Sequence, residues 1–274
     1  MGVFQNNLLA GAAAAASAGG TGFYSHQIEQ SCRFDSGSTS NLSRTLGTPS
    51  NSDIMTISAW IKRGKLGGTH YKWAGAGYST GGGDYGMIGF NGGTPDVLEV
   101  YDYPSSNLNY KTTQVFRDSG GWSHFVIRLD TSQSTAGDRV RIYVNGTEVT
   151  DFGTSTNPSQ NADLVFNTSG RTFYVGSAGD TGNNPYQPYD GYIAEFIMTD
   201  GQSYAPTQFG ETKNGVWIPK DPSGTTFGNN GFHLKFENSG DLGNDSSGNN
   251  NDFTASGLGA DHQVTDTPTT GAGS

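Results

Sequence analysis

GWSHFVIRLDTSQSTAGDRVRIYVNGTEV, residues 121–149, decides the fold. Residues 122–129 read as one strand and residues 140–144 as a second. Asn145-Gly146 is the strongest short signal for a two-residue hairpin turn, because both central residues of that turn need a positive φ. It predicts a third short strand over residues 147–149. Between the first two strands, residues 130–138 are small and polar, so they form a solvated connection. The stretch is therefore an antiparallel meander, and the rest of the chain repeats its grammar.

Composition supports that reading. Of 274 residues only 32% are hydrophobic and 15% charged, while 42 are glycine and 12% aromatic, which suits many short strands joined by turns and leaves no room for long amphipathic helices. Fifteen basic against 25 acidic residues give a net charge of -10 with no basic cluster, so a nucleic acid partner is excluded by repulsion. The single cysteine, Cys32, rules out an intrachain disulfide or a multi-thiolate metal centre and is expected to be buried and inert. No apolar run approaches the ~18 residues of a membrane-spanning helix. The stretch LLAGAAAAA, residues 8–16, follows MGVFQNN without a basic residue, so it lacks the start of an export signal.

Three regions follow from the pass along the chain. Residues 1–22 are rich in Ala and Gly and form a flexible or helical segment, either a disordered tail or an anchor that orders against something else. Residues 23–236 carry strand signals at 31–35, 41–45, 54–62, 71–77, 84–90, 97–101, 115–117, 164–166, 172–177, 189–198 and 231–236. Gly81-Gly82-Gly83 and Gly92-Gly93 mark turns, and Pro206 starts one helical turn. Residues 237–274 are dominated by Gly, Asn, Asp, Ser and Thr with little to bury, and end in a linker-like stretch. The fold class is all-β, an antiparallel two-sheet jelly-roll sandwich.

The ordered phrases SCRFDSGSTSNLS, TISAWIKRG, GWSHFVIRLD, RIYVNGTEV, FYVGS and YDGYIAEFIMTDGQSYAPTQFGE resemble the concanavalin A-like jelly roll, specifically the laminin-G-like sandwiches. The resemblance covers residues 31 to about 211. It implies that Trp60 and Trp122 fill the core and that Gly191 lets the penultimate strand pack closely. LKFENSGDLGNDSSGNNNDF, residues 234–253, is similar to the strand and acidic turn that open many such domains; here it either completes this sandwich or opens another unit. The chain also resembles structural proteins of marine tailed bacteriophages, through FYSHQIEQS, RFDSGS, NGVW and the NGFHLKF phrase. That implies a virion component made in the host cytoplasm: a tail fibre or surface appendage, or alternatively a capsid decoration or head fibre protein. Its expected partners are other virion proteins and further copies of itself.

Chemistry is sparse. A sandwich glycoside hydrolase needs paired carboxylates across the scissile bond, and no Glu-x-Asp-x-Glu triplet occurs, so the chain is expected not to be an enzyme. His26, His70, His124, His233 and His262 lack metal-ligand spacing, and His124 is expected to be structural. Laminin-G-like sandwiches often carry calcium, and Asp35, Asp190 and Asp245 are the candidate oxygen ligands, against the alternative of plain solvated turns. Tyrosines in loops suit stacking on sugar faces. Tyr101, Tyr103, Tyr110, Tyr186 and Tyr189 are the candidates for binding a host surface glycan, with strand-edge packing as the alternative role.

Overall fold

The computed structural model describes residues 22–77, 83–103, 107–180 and 184–270. The expectations for residues 1–21 and for the turn at Gly81-Gly82 lie outside the described residues. Twenty strands are numbered in chain order. β1 (Ser31–Phe34), β2 (Asn41–Thr45), β3 (Ile54–Arg63), β4 (Tyr71–Gly77), β5 (Tyr85–Phe90), β6 (Val97–Tyr103) and β7 (Leu108–Val115) lead into β8 (Ser123–Asp130), β9 (Val140–Val144) and β10 (Thr147–Glu148). Then come β11 (Phe152–Thr156), β12 (Thr172–Val175), β13 (Ala178–Gly179), β14 (Pro185–Tyr186), β15 (Gly191–Asp200), β16 (Gly210–Lys213), β17 (Val216–Pro219), β18 (Phe232–Leu234), β19 (Thr254–Ser256) and β20 (Gln263–Val264).

Two antiparallel eight-stranded sheets result. The first runs β10-β9-β8-β3-β15-β1-β20 with β18 also on β15, and the second runs β11-β7-β6-β5-β4-β12-β2-β19. Alternation explains the layering. Ile57, Ala59 and Ile61 of β3 meet Leu98 and Val100 of β6 in one apolar cluster between the sheets, centred on the fully buried Trp73. Phe196 packs edge-on and Phe125 tilted against Trp73, while Phe173 meets Phe196 edge-on and Phe232 stacks on Phe196. The Asn145-Gly146 turn has φ of 47° and 77°, as a primed hairpin requires. Cys32 is fully buried, and loss of solvation pushes its thiol pKa up, so it is a packing residue. A Cβ at Gly191 would stand 2.3 Å from the Lys62 carbonyl oxygen, so the close approach of β15 to β3 depends on this glycine.

Trp60 and Trp122 are a correction. With Ile57, Ala59 and Ile61 inward, Trp60 must face outward, and it does. It is buried there beneath an outer layer with Ile28 and Ala194, while Trp122 and Trp217 pack half-buried beside it. His124 stacks on Trp60 at 4.7 Å, shares a 2.8 Å hydrogen bond with Ser58 Oγ and accepts one from Trp217 Nε1 at 3.0 Å. Burial drives its pKa down to about 3, so it is a neutral structural histidine.

Eight of the described strands were not expected as such: β7 and β11, and the short β13, β14, β16, β17, β19 and β20. β7 and β11 are rich in Thr, Asn and Gln, which dilutes the apolar alternation although Leu108, Tyr110 and Thr112 do point inward. Residues 164–166 are not a strand; a 3-10 turn spans Val165–Asn167. The segment after Phe236 is also more integrated than its composition suggests. Leu242 and Phe253 enter the core, β19 extends one sheet on β2, and β20 extends the other on β1. Polar satisfaction, not apolar burial, holds the rest: Asn251 Nδ2 donates to the Asn229 and Gly231 carbonyls at 2.8 Å each.

Residues 22–30 lie across the outer face of the first sheet as a strap. Ser25 bonds Glu211, Ile28 exchanges backbone hydrogen bonds with Thr269 Oγ1 at 3.0 and 2.9 Å, and His26 Nε2 sits 2.7 Å from Glu195 Oε1. His233 Nε2 lies 3.4 Å from the same oxygen. Glu195 occupies a bulge in β15 with φ of 47°.

Replacing Trp73 with Ala is expected to cost about 3–5 kcal/mol of unfolding free energy, read by urea denaturation, because it removes a buried indole that neighbours cannot refill. The strap predicts a pH dependence. The Glu195 hydrogen bond outweighs burial and raises the His26 pKa above 6.5. Stability from such a group is complete below its ordinary pKa and is lost as pH rises through the raised one. Glu195 runs the other way. Burial alone would raise its pKa, but His233 and His26 bring it down from 4.5 to about 2, so its contribution is present above 4.5 and fades as pH falls toward about 2. The melting temperature is therefore expected to peak between pH 4.5 and 6.5 and to decline on the alkaline side. His26→Ala should flatten that alkaline decline, and an unchanged decline would remove this ion pair from the account.

Candidate functional site

On the outward face of the second sheet, alternation brings a set of side chains together. β6 turns Leu98 and Val100 inward and Glu99, Tyr101 and Tyr103 outward, while β5 contributes Tyr85 and Met87 and β7 contributes Lys111. Tyr101 and Tyr103, two apart on one strand, hold their rings nearly parallel with centroids 6.1 Å apart, and Tyr85 packs against both at 5.6 and 6.4 Å. The β13–β14 hairpin brings Tyr186 and Gln187 over one side, and His70 and Asn91 complete an open groove of about 440 Å³. That size falls within the range of small-ligand clefts.

The floor is a charge network. Fully buried Lys72 pairs with Glu99 Oε2, and Lys111 pairs with Glu99 Oε1 at 3.2 Å. Burial would raise the Glu99 pKa, but Lys72 above all, with Asn91 and Lys111, pulls it below the ordinary carboxylate value. Burial lowers the Lys72 pKa against the attraction of Glu99. The Tyr101 hydroxyl is pushed to about 12 by desolvation and by Tyr85, so it stays neutral. His70 has its pKa lowered by desolvation and by the Lys72 charge, and its Nδ1 accepts the Gly92 N–H at 3.1 Å. A neutral imidazole bonded this way carries its proton on Nε2.

Two of the proposed sugar-contacting tyrosines, Tyr101 and Tyr186, therefore line one groove, and Tyr103 packs against Tyr101 outside its lining; Tyr103 and Tyr186 are 46% and 48% exposed. Tyr189 does not join them. It is fully buried, with its hydroxyl donating to the Lys62 carbonyl at 2.9 Å, because the chain has already turned into the sandwich there. Tyr110 is also a core residue, facing inward beside Leu108 and donating to Asn157 Oδ1 at 2.5 Å. The platform members Tyr85 and the floor residues His70, Glu99 and Lys111 were missed. The i, i+2 spacing of Glu99, Tyr101 and Tyr103 was the available signal.

The proposed calcium ligands do not converge. Asp35 and Asp190 share a corner, but Asp35 Oδ1 accepts the Gly37 N–H at 2.8 Å, and Asp190 Oδ2 is taken by Ser36 Oγ and the Lys65 ammonium, each at 2.9 Å. Asp245 lies elsewhere and accepts from the backbone of His233, Ser247 and Asn251 and from Ser247 Oγ. A carboxylate already bridged to an ammonium and others saturated by N–H donors do not fit a hard cation needing six or more oxygens. Among the described residues no three His, Cys, Asp or Glu side chains cluster in a way that holds a metal ion. A larger depression of about 610 Å³ opens beside β10 and β11, lined by Thr113, Gln114, Glu148 and Asp151 among others, but it has no aromatic surface.

No curated protein sequence matches the chain. Among solved structures, a candidate carbohydrate binding protein from Bacteroides ovatus ATCC 8483 superposes with a TM-score of 0.59 at 16% identity, covering 89% of this chain and 62% of that one. The chain thus spans less than two thirds of that protein's length, and at this identity the likeness is one of fold. A heptameric SAP-like pentraxin from Limulus polyphemus matches with a TM-score of 0.46 at 17% identity, over 67% of this chain and 82% of that one. Domains LG4-5 of the mouse laminin alpha1 chain match with a TM-score of 0.44 at 13% identity, over 66% of this chain and 44% of that one. The family model for the concanavalin A-like lectin/glucanases superfamily matches residues 35–201, more than half of the chain. With two antiparallel sheets and this match together, the chain belongs to the concanavalin A-like lectin/glucanases superfamily.

Proposed function

We propose that this protein is a non-enzymatic carbohydrate-binding sandwich that serves as a structural component of a phage particle. The observation that carries the sugar-binding half is the tyrosine platform: Tyr85 and Tyr101 line one wall of an open groove, Tyr103 packs against both, and Tyr186 faces that wall from the hairpin. Flat rings cover the apolar faces of pyranose rings, while the polar floor groups beneath them serve hydroxyls. The membership of a lectin-containing superfamily and the fold likeness to the Bacteroides ovatus protein support the same reading.

The non-enzymatic half rests on Glu99. Its carboxylate is held between two ammonium groups and kept ionised, so it is placed to tie the floor together and not to donate a proton to a leaving group. Asp180, at the rim, accepts the Asn184 N–H at 2.7 Å and closes the hairpin. The virion placement rests on the sequence phrases at residues 23–31, 33–38, 214–217 and 230–236. A tail fibre or surface appendage is the first placement and a capsid decoration or head fibre role the second, in either case among copies of the same chain.

On a glycan array the intact protein is expected to bind a defined subset of glycans, and Tyr101→Ala and Tyr186→Ala to weaken that binding at least about tenfold, about 1.4 kcal/mol, with unchanged melting temperature. Array signals that survive both substitutions would move the site away from this groove. For the structural role, cryo-microscopy of purified particles should show density for the sandwich at a regular surface position, and particles lacking it would end that proposal.

A further inference from the structure

We infer that the groove selects an acidic sugar, receiving its carboxylate or sulfate ester between Lys111 and His70. The inference rests on the glycan-binding reading above and concerns the hydrogen-bond polarity of the groove floor. Among the described residues, Glu99 is the carboxylate on that floor and Asp180 the one at the rim, and Glu99 has its oxygens engaged by Lys72, Lys111 and Asn91. Asn91 is itself oriented by the Thr94 N–H, which donates to its Oδ1 at 2.7 Å. Glu99 therefore has little accepting capacity left for a sugar hydroxyl.

What the floor offers is donors. Lys111 gives one proton to Glu99 and, with its side chain 29% exposed, turns the rest of its ammonium to the groove. His70, with Nδ1 already accepting from Gly92, presents Nε2–H. Two lysines against one glutamate leave the floor one positive charge in excess. Lys72 lies beneath the surface and contributes to this potential without touching a ligand. Asp180 stands at the rim and is occupied by Asn184 through both its backbone and its side-chain nitrogen. In a chain of net charge -10, the protons of Lys111 and His70 left free on this floor stand next to a stacking platform, and an acceptor-rich anionic group complements them. Gln187 Oε1, buried at the groove without a hydrogen-bond partner, supplies an acceptor to one side for a neighbouring hydroxyl.

The test is calorimetric titration of the full chain with three probes: tri-galacturonate, its fully methyl-esterified form, which keeps the same backbone without charge, and a sulfated galactose trisaccharide. At least one acidic probe is expected to bind tenfold or more tighter than the ester, with a preference that shrinks as salt is raised. Which acidic probe wins distinguishes carboxylate from sulfate. Lys111→Met should abolish the preference while leaving weak ester binding, Lys111→Arg should retain it, and Tyr101→Ala should weaken all three. Equal or tighter binding of the ester, still dependent on Tyr101, overturns the acidic assignment and leaves the groove reading standing. Binding of none of the three at millimolar concentration also overturns it, and the glycan array then decides the groove by itself.

Discussion

Strand β15 has two different neighbours along one edge, and the architecture closes around that fact. β3 pairs with it over nearly its whole length on one side, whereas on the other β1 pairs with Gly191–Ile193 and β18 with Phe196–Met198. At the handover, Ala194 and Glu195 have no ladder partner on that side, and Glu195 takes a positive φ at a cost of about 1–3 kcal/mol. The bulge aims its carboxylate at His26 and His233. Elements from both ends of the chain meet there: β1 and the strap from the beginning, β18 and β20 from the end. A sandwich whose central strand is shared in this way forms only when distant parts of the sequence arrive together.

How much of this was legible depended on whether a residue's fate is set by near neighbours. The bounds of β2, β4 and β9 follow directly from alternation and turn residues, and the Asn145-Gly146 turn from backbone chemistry alone. Trp60 shows where local reading stops. Its parity on β3 already placed it opposite Ile57, Ala59 and Ile61, but only the covering strap and the β16–β17 hairpin reveal why an outward tryptophan is buried. The His26–Glu195–His233 cluster gave no spacing signal at all, because the three residues come from a strap, a bulge and a short strand far apart in sequence. Of the tyrosines, Tyr101 and Tyr103 share the outward face by strand parity, and Tyr101 lines the groove. Tyr189 left the surface because the loop it ends dives into the core.

The two outer faces of the sandwich have been given opposite treatments. The first sheet is roofed: Trp60, His124 and Trp217 lie in a stack beneath the strap and hairpin, and little of that face meets solvent. The second sheet leaves its β5-β6-β7 surface open, and its Glu99 carboxylate is paired in place by lysines and not by a covering segment. Burying Lys72 against Glu99 is a costly way to build a sheet surface unless that surface is to remain open.

This asymmetry gives the molecule a back and a front. The strap, described from Gly22 onward, belongs to the roofed face, while the tyrosine groove looks the other way. If copies were seated on one common surface by the roofed face, as the proposed virion role requires, their grooves would point outward in parallel, at a spacing set by the width of the sandwich. Weak contacts at the proposed glycan groove would then add up across neighbours on a repetitive surface, and recognition would become a property of the array and not of one groove.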